Sequence, residues 1–127
     1  MRVKIYLRAI ATAKDNYLAL FDSNGNVGIN NLFTDALPGA TIIWKLDRCS
    51  RIKSVTGIYS SKGQDKDHYR KVFKSDPRKR LFCKGFKLQL EKEAEGEEKY
   101  TIECILCDNT PLKIDPYIRV PPPPIRS

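Results

Sequence analysis

Apolar and polar residues alternate with a period of two through most of this chain, and clusters of turn-forming residues interrupt the alternation from Met1 to Val120. Val3, Ile5, Leu7 and Ala9 are set against Arg2, Lys4, Tyr6 and Arg8. In an extended backbone successive side chains point to opposite faces, so such a stretch has one apolar face and one charged face. The same pattern recurs in Tyr100, Ile102, Cys104 and Leu106 against Thr101, Glu103, Ile105 and Cys107, and in Phe82, Lys84, Phe86, Leu88 and Leu90. The expected fold is all-β: one antiparallel β-sandwich of about seven to nine strands. It should occupy residues 1–120, with a proline-rich tail over 121–127.

At 127 residues and 41% hydrophobic content the chain suits one domain, which at this size buries roughly two-thirds of its unfolded surface. Charges within Met1-Arg2-Val3-Lys4 argue against a secretory leader, and no apolar run nears the roughly 18 residues that cross a bilayer. The expected location is cytoplasmic, without membrane association. Cys49, Cys83, Cys104 and Cys107 sit among apolar, strand-like residues, which favours reduced, structural thiols. Cys104-Ile-Leu-Cys107 has the spacing of a metal knuckle, but residues three apart in a strand face opposite ways. No metal or other cofactor is expected.

Tyr17–Phe21 and Val27–Asn30 flank Asn24-Gly25, a pair favoured in type I′ hairpin turns. Asp22, Asn24 and Asn26 have half of a calcium-loop pattern, but Val27 stands where glycine is needed and Phe33 where glutamate is needed. Trp44 lies midway along the alternating strand Thr41–Leu46, which favours a place between sheets over ligand stacking. From Ile52 to Tyr59 the apolar residues recur every third position, Ile52, Val55 and Ile58, an irregular strand pattern. Two long strands, Leu81–Leu90 and Lys99–Cys107, flank the acidic connection Glu91–Glu98, where Glu97 and Glu98 should be solvated. Leu112–Val120 forms the last strand, which Pro116 should confine to an edge or bulge.

Nothing in the chain resembles catalytic machinery. His68 is the only histidine, in a charged stretch without an adjacent nucleophile motif, and no phosphate-loop or dinucleotide fingerprint occurs. The expectation is therefore not an enzyme. The net charge of +8 is concentrated between Lys62 and Lys84, which hold nine Lys or Arg against three Asp. Lys66, Arg70, Lys71, Lys74, Arg78, Lys79, Arg80 and Lys84, interleaved with Tyr69, Phe73, Phe82 and Phe86, form a candidate nucleic-acid-binding segment. Lys84-Gly85-Phe86 starts like the central strand of an RNA-recognition motif, but Leu88-Gln89-Leu90 lacks its aromatics. A solvated basic loop is the competing reading.

Pro121, Pro122, Pro123 and Pro124, followed by Arg126, form a run expected to be polyproline II. Such an arm either lies over a sheet edge or docks into an aromatic groove of a protein partner. Gly39-Ala-Thr-Ile-Ile-Trp44, Tyr100-Thr-Ile-Glu-Cys-Ile-Leu-Cys-Asp108 and Asp115-Pro-Tyr-Ile-Arg-Val120 resemble segments of the AidA/PixA inclusion-body protein family. The resemblance covers about a quarter of the chain and implies a bacterial, non-enzymatic β-sandwich. It carries over no site residue. The expected function is that of a small accessory module that binds a protein partner through Pro121–Arg126. The alternatives are nucleic-acid binding through residues 62–84 and a ligand- or metal-binding sandwich.

Overall fold

Eleven strands and no helix make up the regular structure in the computed structural model, which describes residues 1–11, 14–61, 72–80 and 85–121. In chain order they are β1 (Arg2–Ala11), β2 (Asn16–Asp22), β3 (Val27–Ile29), β4 (Phe33–Asp35), β5 (Thr41–Leu46), β6 (Ile52–Ser60), β7 (Arg78–Lys79), β8 (Phe86–Gln89), β9 (Gly96–Leu106), β10 (Pro111–Ile114) and β11 (Tyr117–Val120). One sheet runs β3-β2-β1-β5-β8-β7. In the other, β9 carries β6 on one side and β10 and β11 on the other, with β4 beyond β11. The two sheets share one apolar core and do not close into a barrel.

The strand count exceeds the expected seven to nine because β3, β4 and β7 are only two or three residues long and the last strand is divided. β10 and β11 pair with β9 in one continuous register, Ile114 opposite Ile102 and Tyr117 opposite Lys99. Pro116 lacks an N–H and interrupts the ladder there, while its carbonyl still accepts from Tyr100 N at 2.9 Å. It does not mark an edge strand, since β11 lies between β9 and β4.

Both sheets are mixed, which corrects the expectation of a purely antiparallel fold. β5 runs parallel to β1, and β4 parallel to β11. After the β2–β3 hairpin the chain crosses to the other sheet, forms β4 and returns as β5 beside β1, a long excursion of the kind parallel pairing requires. At the crossing Asn30 adopts φ 58°, and its side-chain oxygen accepts from Leu18 N at 2.8 Å. The hairpin loop is longer than the type I′ turn expected, because only Gly25 within it takes a positive φ, 95°. Asp22 organises that loop: Oδ1 accepts from Asn24 N and Asn26 N, each at 3.0 Å, and Oδ2 from Thr34 Oγ1 at 2.9 Å.

The three-residue period of β6 also has a physical cause. Its register against β9 shifts twice, between Ile52 and Ser54 and between Val55 and Gly57. Each irregularity inserts one residue, so Ile52, Val55 and Ile58 all turn inward. At the centre of the core, Trp44 meets Phe73 edge-on at 6.1 Å and Tyr100 at 5.7 Å between ring centroids. Trp44 Nε1 donates to Tyr100 Oη at 3.1 Å, joining the two sheets.

Candidate nucleic-acid interface

Alternation along β1 turns Val3, Ile5, Leu7 and Ala9 into the core and leaves Arg2, Lys4, Tyr6 and Arg8 on the outer face of the six-stranded sheet. Pairing then gathers residues that are far apart in the chain. Lys4 lies beside Ile43, Ile43 beside Lys87, and Lys87 beside Arg78. Ile43 is buried yet outside the core cluster, a position that the aliphatic stems of the flanking lysines can cover. About 7 Å along the strands, the next row runs Val27, Phe21, Tyr6, Lys45. Within it Tyr6 and Phe21 stack at 5.4 Å with an interplanar angle of 15°.

No carboxylate projects from a strand of this face. Asp47, just past β5, lies 2.6 Å from Arg8 and is neutralised by it. Among the described residues, Arg2, Lys4, Lys45, Lys87 and Arg78 have no carboxylate within ion-pair distance. Beside Tyr6 an open groove of about 650 Å³ is bounded by Lys45, Asp47, Arg48, Arg80 and Gly85. Gly85 is required there, because a Cβ would stand 2.5 Å from Trp44 O.

The outer face of the five-stranded sheet is different, since it carries carboxylates that pair with two of its cations. Arg119 Nε lies 2.7 Å from Asp35 Oδ1, and Lys113 Nζ 3.3 Å from Glu103 Oε1. Glu103 also accepts from Tyr59 Oη at 2.7 Å; that bond holds its carboxyl below the usual range and pushes the Tyr59 phenol up. Thr101 Oγ1 donates to Asp115 at 2.7 Å.

Of the basic segment that offered nucleic-acid binding as an alternative, Arg78 pairs into the six-stranded sheet and Arg80 lines the groove, while Lys74 and Lys79 are exposed. Lys66, Arg70, Lys71 and Lys84 lie outside the described residues, as do His68, Tyr69 and Phe82. Phe73, read there as a stacking aromatic, is instead fully buried against Trp44 and Tyr100. Of the proline arm only Pro121 is described, and it is exposed; Pro122, Pro123, Pro124 and Arg126 lie outside. Cys104 is buried and its thiol is pushed up to about 11 by burial, while Cys49 and Cys107 are exposed.

Glu98 corrects another expectation. It belongs to β9, faces inward and is 1% exposed. Its Oε1 accepts from Val72 N at 2.8 Å and Phe73 N at 2.9 Å, fixing to the core the end of the segment that follows residues 62–71. Its Oε2 has no hydrogen-bond partner among the described residues. The one hint of this in the sequence is the alternation Glu98, Tyr100, Ile102, which continues the inward face of β9 one step into the acidic run.

The chain matches no protein-family model and no curated protein.

Proposed function

We propose that the chain is a β-sandwich binding module, without catalytic function, that holds nucleic acid on the outer face of its six-stranded sheet. The observation that carries this reading is the set of cations without a carboxylate partner among the described residues, Arg2, Lys4, Lys45, Lys87 and Arg78, interleaved with Tyr6 and Phe21 on one sheet face. Phosphate contacts supply most of the affinity of such proteins, and aromatic side chains supply stacking surface. The basic segment contributes through Arg78 and Arg80, so the interface is the sheet with that segment at its border. Resemblance to the AidA/PixA family is compatible with a non-enzymatic bacterial sandwich and supplies no competing site.

The test is fluorescence anisotropy of a labelled oligonucleotide at low salt, comparing the native chain with the double variant Lys4→Glu/Lys87→Glu. Lys99→Glu, on the outer face of the other sheet, is the control. Loss of at least tenfold in affinity for the double variant, with the control unchanged, is the expected result. Absence of binding by the native chain, or equal binding by all three proteins, would refute the reading.

A further inference from the structure

Tyr6 takes part in two features at once: it stacks on Phe21 and it forms one wall of the groove bounded by Lys45, Arg48 and Arg80. Both rings are half-buried, so part of each remains open to solvent. The groove has the volume of a small-molecule site, and with Asp47 neutralised by Arg8 its balance is cationic. One end of this row is therefore suited to a base and the other to a phosphate. We infer that the ligand is a single strand, with bases stacked on Tyr6 and Phe21 and a phosphate seated among Lys45, Arg48 and Arg80; this inference rests on the nucleic-acid reading above.

Two physical arguments favour a single strand over a duplex. Bases within a duplex are already stacked on each other, so they cannot use an aromatic row; unstacked bases can. Duplex readout also needs an element that enters a groove, such as a helix or a two-stranded ribbon. The described residues hold no helix, and the cations lie across the face of a sheet. An acidic peptide would satisfy the cations but would leave the Tyr6–Phe21 stack without a partner.

The experiment uses the intact chain and three probes: a labelled thymidine oligomer of about twelve nucleotides, within the site sizes common for sheet-based single-strand binders, a labelled duplex of the same length, and polyglutamate as competitor. The expected result is at least tenfold preference for the single strand, with polyglutamate a weak competitor. Tyr6→Leu should weaken single-strand binding about tenfold, as expected for one lost stacking contact, and leave duplex binding unchanged. Arg48→Glu, at an exposed turn position that does not depend on the fold of Tyr6, should also weaken it about tenfold. Equal affinity for duplex and single strand, full competition by polyglutamate, or a folded Tyr6→Leu or Arg48→Glu protein that binds like the native chain would overturn the inference while leaving a polyanion-binding face intact. Failure to bind either nucleic acid would overturn the inference and the proposed function together.

Discussion

Trp44 on β5 donates its indole N–H to the hydroxyl of Tyr100 on β9 across 3.1 Å, so the two sheets are joined by a hydrogen bond inside the apolar core as well as by packing. Both side chains are at most 1% exposed. Trp44→Ala should cost about 3 to 5 kcal/mol, the range for a large buried aromatic. Tyr100→Phe keeps the ring but strands a buried N–H, at a cost of about 1 to 3 kcal/mol. Urea unfolding of the two variants measures both; a Tyr100→Phe protein as stable as the native chain would show that the bond contributes nothing.

Glu98 should behave as a structural acceptor. In Glu98→Ala the Val72 and Phe73 amides lose their partner, and the expected loss is about 2 to 4 kcal/mol for two orphaned buried donors. Glu98→Gln retains an oxygen for both amides and should be clearly more stable than the alanine variant. Thermal melting compares them, and indistinguishable alanine and glutamine variants would contradict the role assigned to Oε1.

Alkali should destabilise the fold. The Cys104 thiol is raised from 9.0 to about 11 by burial, and the Tyr100 phenol is raised by burial and, secondarily, by the charge of Asp22, against the Trp44 bond. A group whose folded pKa is raised contributes stability that is present below its unfolded pKa and lost as pH climbs toward the folded one, because the unfolded chain releases its proton first. Stability should therefore hold up to about pH 9 and fall beyond it. Urea midpoints across that interval measure the trend, and Cys104→Ala should flatten its first part. A midpoint unchanged between pH 9 and pH 11 would contradict the burial of these two groups.

The sheet-forming parts of the chain were legible because alternation directly encodes which face is buried: β1, β5 and β9 read correctly from Val3–Ala9, Ile42–Trp44 and Tyr100–Leu106. Strand direction was not legible, since a period of two is the same whether β5 runs with or against β1. Bulges disguised β6, and the acidic run disguised Glu98, whose burial depends on amides of Val72 and Phe73 more than twenty residues earlier.

The candidate interface was only half legible for a similar reason. In sequence, charge density drew attention to residues 62–84, whereas Lys4, Lys45 and Lys87 are dispersed among apolar neighbours and read as ordinary solvated faces of three separate strands. Register brings Lys4 and Lys87 to either side of Ile43 and sets Tyr6 between Phe21 and Lys45. The patch is thus a product of pairing, which no local window contains.

Amide chemical-shift mapping of the isotope-labelled chain during titration with a short thymidine oligomer tests the central claim most directly. The account predicts shifts clustered on the six-stranded sheet, at Lys4, Tyr6, Phe21, Lys45 and Lys87 and in the groove at Arg48 and Arg80, with Lys99, Glu103 and Lys113 on the other sheet unmoved. Shifts concentrated on the five-stranded sheet or confined to the residues after Val120, or no shifts at all at low salt, would contradict it.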